Sequence, residues 1–135
     1  MIDQPLTLPC GAILSNRLCK AAMTEGLAGA TGVPGDALNR LYGIWSDGGA
    51  GLLLSGNVQI DRDHLERPGN VVVDEEPDDA TKKALEAWAA AGTRSGNHFW
   101  AQISHAGRQS PFYVTSRPLA PSPIAVKMAG SFRTP

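Results

Sequence analysis

An α/β fold with a parallel sheet is expected from three observations on the 135-residue chain. Three short apolar runs, 18–23, 51–60 and 99–104, alternate with two amphipathic stretches, and such alternation implies parallel strands joined by right-handed crossovers. The middle run opens Leu52, Leu53, Leu54 without polar interruption, as a strand covered on both faces requires. All three runs finish in small or polar residues, near Thr24, near Asn57 and at Ser104, His105, Gly107 and Arg108. Ligands of α/β folds sit where strands end, so these three tips are the first place to look for a site.

The elements follow in order. Residues 6–8 and 12–14, joined by a turn at 9–11, read as a small β-hairpin. The first buried strand is expected over 18–23. A loop holding Gly26, Gly29, Gly32, Pro34 and Gly35 follows it. Asp36 is expected to cap a helix whose apolar residues Leu38, Leu41, Tyr42 and Trp45 recur at spacings of three and four, ending at Gly48 and Gly49. The second strand spans 51–60. A long charged loop then runs over 61–76, interrupted by Pro68, Gly69 and the apolar triplet 71–73, and its segment 61–67 reads as solvated surface. Asp78 or Asp79 caps a second helix that buries Ala84, Leu85 and Trp88 and wets Lys82, Lys83 and Glu86, with Gly92 and Gly96 as stop signals. The third buried strand, 99–104, follows directly. Beyond Arg108, prolines 111, 118, 121, 123 and 135 leave no helical or strand period, so 109–135 reads as loop.

Three buried strands with two helices leave two open sheet edges, which folds close or cover. A (β/α)8 barrel closes them and takes about 250 residues. The fold class expected is therefore the N-terminal portion of a TIM barrel, about three βα units plus an N-terminal hairpin, truncated. Residues 1–15 form the hairpin cap, 16–108 the strands and helices, and 109–135 the proline-rich loop. The chain reads as a fragment or truncated product, with self-association through the open edges as a partner expectation.

Bulk properties narrow the function. A hydrophobic content of 42% against 19% charged residues marks a globular chain. A net charge of −1 gives no electrostatic basis for binding nucleic acid or an anionic membrane. No apolar run approaches the roughly 20 residues needed to span a bilayer. The N-terminus lacks a basic then apolar secretion signal, so a cytoplasmic location is expected. Cys10 and Cys19 form neither a CxxC pair nor a disulfide framework. His64, His98 and His105 lack metal-ligand spacing, so no metal is expected. The stretch GGAG at 48–51 follows a helix and is not a dinucleotide fingerprint, and there is no nucleophile elbow or Walker A sequence.

Four ordered stretches carry a resemblance. NRLCKAAMTEGLA at 16–28, GLLLSGNVQIDRDHLERPGN at 51–70, QISHAGRQ at 102–109 and PLAPSPIA at 118–125 resemble successive segments of the old yellow enzyme family, the NADH:flavin oxidoreductases and ene-reductases. Each stretch alone is weak; four in the right order are specific. The resemblance implies an eight-stranded barrel with FMN held non-covalently at its C-terminal mouth. It implies a two-step cycle in which NAD(P)H reduces FMN and the reduced flavin passes a hydride to a small-molecule acceptor, typically an activated alkene such as an enone.

What the family implies is carried over residue by residue. Ala22, Met23 and Thr24 at the first tip would lie along the flavin ring, with the Thr24 hydroxyl donating toward it; many relatives have proline at the position of Ala22 and cysteine or threonine at that of Thr24. Gly56 and Asn57 occupy the second tip, where relatives place a small residue against the flavin. Gly56 alone would otherwise mark a bulge or a close backbone approach. Gln102 matches the glutamine that bonds the pyrimidine edge, since a primary amide offers donor and acceptor together. His105 and Arg108 read as structural. The family's substrate-binding histidine pair, tyrosine proton donor and phosphate-binding segment belong to later strands, so no catalytic acid or base is assigned. Weak flavin binding, or none, and little turnover are expected from these 135 residues alone. Two other readings stay open: a non-catalytic remnant or assembly module without flavin, and the start of a different barrel enzyme such as a lyase.

Overall fold

The computed structural model describes residues 1–127 and Gly130. The end of the proline-rich loop, Pro135 included, lies outside the described residues. β1 (Leu6–Thr7) and β2 (Ile13–Leu14) pair antiparallel as the expected hairpin. β3 (Cys19–Lys20), α1 (Asp36–Asp47), β4 (Leu52–Gln59), β5 (Val71–Val72), α2 (Asp79–Thr93) and β6 (His98–Ser104) follow, then a 3-10 turn at Gly107–Gln109. All four sheet strands are parallel, and the chain is the small α/β unit that strand–helix alternation requires.

β4 is the axis of the sheet. Its residues are buried or half-buried throughout, as the uninterrupted leucines imply. β6 runs along one edge of it from Leu52↔His98 to Gln59↔Ser104. The other edge is shared by β3, paired at Cys19↔Leu52, and β5, paired at Val58↔Val71. The apolar triplet in the charged loop is therefore a strand: Val71 and Val72 are buried and complete the sheet beside the end of β4.

α1 and α2 cover one face of the sheet. Tyr42, Trp88 and Phe99 meet there at ring-centroid distances of 4.8 to 5.2 Å, with Leu38, Leu53, Val58 and Val71 around them. Asp78 caps α2 by accepting the Thr81 N–H at 2.8 Å. Ser46 at the end of α1 donates to Asn97 Oδ1 at 2.5 Å, which ties α1 to the turn before β6.

Four local expectations are corrected. The cap of α1 is Gly35, and Asp36 is the first helical residue, where its charge still favours the helix dipole. Gly92 lies inside α2: a Cβ there would stand 2.8 Å from Phe99 Cγ, so the residue serves a close helix–strand approach and does not stop the helix. The first strand is two residues long, and Cys19, Leu18 and Met23 are exposed. β6 is likewise open to solvent, with Trp100 40% and Ile103 64% exposed. Apolar composition locates both strands, but burial depends on what lies on their far side, which a strand's own residues do not encode.

One buried polar group stands out. Gln59 is fully buried, and neither atom of its side-chain amide has a partner among the described residues. An unsatisfied buried amide costs stability, and an apolar side chain of similar shape removes that cost. Gln59→Met is expected to stabilise the chain by about 1–2 kcal/mol. Urea unfolding midpoints of the two proteins check this; a lower midpoint for the variant would mean the amide is serving an interaction.

Candidate functional site at the strand tips

The site is built by an irregularity in β4. Leu54 faces Trp100, yet Asn57 faces Gln102, so Ser55 and Gly56 together oppose Ala101. This is a β-bulge, a device that re-aims side chains at the end of a strand. Ser55 keeps it intact: its hydroxyl accepts the Gln102 N–H at 2.8 Å and donates to the Gly56 carbonyl at 2.6 Å. The consequence is a one-residue slip that sets the amides of Asn57 and Gln102 side by side. Gln102 Nε2 donates to Asn57 Oδ1 at 2.6 Å.

From there a chain of hydrogen bonds crosses to the first tip. Asn57 Nδ2 donates to Glu66 Oε2 at 3.0 Å, and the Thr24 hydroxyl donates to the same oxygen at 2.6 Å. Thr24, Glu66, Asn57 and Gln102 thus form one rim over β3, β4 and β6. Gln102 lies at its exposed end. A cavity of about 720 Å3 opens beside Glu66 and is bounded by Pro68, Gln109 and Tyr113.

Three of the six residues singled out in the sequence, Thr24, Asn57 and Gln102, meet in this rim. The other three sit around it. Ala22 is half-buried on the approach to Thr24, and the Met23 side chain is 50% exposed. Gly56 does something different from facing open space. A Cβ on it would come within 2.5 Å of the Met23 carbonyl and 3.1 Å of Thr24 Cα, so its missing side chain lets the first tip pack onto the second.

Glu66 escapes sequence reasoning, because a charged loop of this composition gives no sign that one of its acids turns inward. Burial alone would raise its carboxyl pKa, but hydrogen bonds from Thr24 and Asn57, with the Arg67 charge, outweigh that and hold it below the ordinary value. Beneath the rim lies a second group that the sequence does not announce. Tyr42 donates to Glu25 and accepts the Gly56 N–H at 2.9 Å, and Lys20 Nζ stands 3.8 Å from Glu25 and 4.1 Å from the centre of the Trp45 ring. Burial pulls the Lys20 pKa down, opposed by the Glu25 charge.

Two histidines that look unrelated in sequence also meet. Asp61 Oδ2 lies 2.8 Å from His64 Nδ1 and 3.3 Å from His105 Nε2, and the two rings stack at 5.5 Å. Distance alone would let the three groups hold a cation. The Gly107 N–H, however, donates to His105 Nδ1 at 2.9 Å, which places the neutral ring's proton on Nε2 facing Asp61. A metal ligand needs the opposite arrangement, with the outer nitrogen donating. The trio is a hydrogen-bonded staple between the loops that follow β4 and β6. Among the described residues Arg108 reaches only the Ile124 carbonyl, at 3.5 Å.

A pH response follows from these acids. Burial tends to raise the Asp61 pKa, but bonds from the Asp63 N–H, His64 and His105 outweigh it, so Asp61 and Glu66 both titrate below their ordinary values. A carboxyl depressed on folding adds stability above its unfolded pKa, and that stability is lost as pH falls through the folded one. Stability is therefore expected to hold from neutral pH down to about 4 and to fall below it. Glu66→Gln should flatten part of that decline; urea titrations at neutral and acidic pH, with identical slopes for both proteins, would contradict the assignment.

No family model matches the chain. It is 40% identical over 133 residues to an NADH-dependent flavin oxidoreductase of Neonectria sp. (strain DH2), covering 93% of this chain and 17% of that protein. A protein of the same description from Hypocrea jecorina (strain QM6a) is 35% identical over 130 residues, covering 92% of this chain and 32% of that one. The chain thus spans a third or less of these curated relatives. In structure it is similar to the old yellow enzyme homologue from Zymomonas mobilis, with a TM-score of 0.79 at 23% identity over 98% of this chain and 38% of that one. Morphinone reductase gives a TM-score of 0.81 at 23% identity, over 99% of this chain and 38% of that one. No helix among the described residues is long and apolar enough to cross a membrane.

Proposed function

The chain matches flavin oxidoreductases in sequence and a part of the old yellow enzyme barrel in fold, and from that premise we propose that its three strand tips form the ring-facing rim of an FMN site in an oxidoreductase reduced by NAD(P)H. The observation that carries this is the hydrogen-bonded run from Thr24 through Glu66 and Asn57 to Gln102. FMN, when bound, supplies the hydride chemistry, and an activated alkene such as an enone is the acceptor the reading favours.

The donor set fits a flavin edge. Gln102 spends one N–H on Asn57, which fixes the amide's orientation and leaves Oε1 and a second N–H at the exposed end of the rim. A pyrimidine edge alternates donors and acceptors, and this pair meets that pattern. Glu66 changes the role expected of Thr24. Its only hydroxyl proton goes to Glu66, so toward a ring Thr24 presents lone pairs and accepts. Gly56 contributes by letting the Thr24 segment approach, and Ala22 and Met23 line the approach.

Because β6 and Gln102 are open to solvent, a ring resting on these tips stays wet, and affinity for this chain by itself is expected to be low. Titration of the isotopically labelled chain with FMN, followed by NMR, tests the reading. Shifts should concentrate at Thr24, Asn57 and the Gln102 side chain, and Gln102→Ala should weaken binding about tenfold. Shifts confined to other surfaces, or an unchanged affinity in the variant, would defeat it.

The exposed apolar edge of β6 favours a second reading, in which this edge pairs with another polypeptide. Sedimentation of the purified chain distinguishes them: a concentration-dependent rise in mass without flavin supports pairing.

A further inference from the structure

We propose a second small-molecule site, between the loop that follows β3 and the loop that follows β4, taking a neutral, mainly apolar molecule of one or two rings that carries a carbonyl or similar hydrogen-bond acceptor. A cavity of about 640 Å3 lies there, and none of Thr24, Gly56, Asn57, Glu66 and Gln102 lines it. Pockets for small ligands run from roughly 300 to 1,000 Å3, so the space is of ligand size.

The cavity is held open by construction. The Ala28 N–H donates to the Gly69 carbonyl and the Val72 N–H to the Gly32 carbonyl, each at 2.9 Å, so the two loops are pinned at two points. Gly69 and Gly32 have positive φ, and a Cβ on either would strike the opposite loop: Gly26 at 2.5 Å in one case, Val72 at 2.7 Å in the other. Arg62 bridges the mouth, reaching the Thr31 carbonyl at 3.4 Å and Asp74 at 2.8 Å.

Asn70 indicates what would bind. It lines the cavity, is 3% exposed, and its Nδ2 has no partner among the described residues. The orientation of its amide is fixed, because Oδ1 accepts the Arg67 N–H at 3.0 Å and the NH2 end is the one left over. Nδ2 lies just behind the cavity wall, so a small shift of the Asn70 side chain brings this unpaired donor to a ligand that carries an acceptor. Ala30, Leu65, Pro68, Val72 and Val114 supply the apolar part of the wall, with the Tyr113 ring beside them. At the mouth the Arg62 charge is taken up by Asp74, and Asp63 adds a negative charge, which disfavours anions.

NMR titration of the labelled chain, with no flavin present, uses 1-tetralone, its hydrocarbon counterpart tetralin and a tetralin carboxylate. The ketone should shift Ala30, Leu65, Val72 and the Asn70 side-chain NH2, and bind about tenfold more tightly than the hydrocarbon. The carboxylate should bind more weakly than the ketone. Ala30→Trp, at an exposed position, should fill the space and abolish binding without loss of fold. Asn70→Leu should bring the ketone to the affinity of the hydrocarbon. Equal affinities for ketone and hydrocarbon, undiminished binding by Ala30→Trp, or no ketone binding up to its solubility limit would overturn the proposal.

Discussion

Replacing Gly56 with alanine is expected to destabilise the chain by about 3 kcal/mol and to lower its thermal midpoint by roughly 10 °C. The reason is room, not backbone freedom: Gly56 does not adopt the left-handed conformation that favours glycine. The added methyl would meet the Met23 carbonyl at 2.5 Å, and a carbonyl in a packed segment cannot swing aside as the end of a long side chain can. Relief would require Met23 and Thr24 to lift from β4, breaking the Thr24–Glu66 hydrogen bond and opening the rim. Gly35→Ala is the control for added bulk, because nothing lies within 4 Å of its Cβ; as the cap of α1 it should lose no more than about 1 kcal/mol. Circular-dichroism melts of the two variants measure the contrast. Similar losses at both positions would show that Gly56 is not a packing requirement, and the account of how the first tip is seated would fail.

The same glycine marks how far the amino-acid sequence is legible by itself. A glycine inside an apolar strand signals that something approaches the backbone, and the Met23 carbonyl does approach it. Whether ligand, bulge or neighbouring chain approaches depends on the register of β4 against β6, and Ser55 sets that register through one hydroxyl. A serine in a strand carries no mark of such a role. Gln102 is read from its type: an amide inside an apolar run suggests a buried group in need of a partner, whereas in the fold it is exposed and bonds Asn57 at the open end of the rim. Glu66 is hidden by its setting. It lies among six other charged or polar residues in the segment 61–67 and 70, where solvation is the default, and only the fold turns it toward Thr24. Helices and the central strand declare themselves because 3.6-residue and continuous apolar patterns are local properties. The exposure of β3 and β6 does not, because it is decided by what faces them across the sheet.

Tyr42→Phe is expected to cost about 3 kcal/mol, although it removes a single oxygen from a residue that reads as plain core. Tyr42 is fully buried, and its hydroxyl is shared between two groups: it donates to the Glu25 carboxylate and accepts the Gly56 N–H at 2.9 Å. Burial first, and then Glu25, push the Tyr42 pKa far above the ordinary phenol value, so the hydroxyl keeps its proton at neutral pH. Without that oxygen a backbone donor is orphaned at the bulge. Glu25, 11% exposed, then keeps, among the described residues, only Lys20 at 3.8 Å as an ion-pair partner. Both losses fall beneath the rim, so the variant tests whether the core and the site are one structure. Hydrogen exchange at the Gly56 amide should accelerate strongly in the variant. Glu25→Gln made alone and together with Tyr42→Phe should show a coupling of about 1 kcal/mol or more, since neighbours in one network are not additive. Strict additivity, with the Gly56 amide still protected, would mean that the aromatic packing of Tyr42 carries its whole contribution and that the strand tips are seated without it.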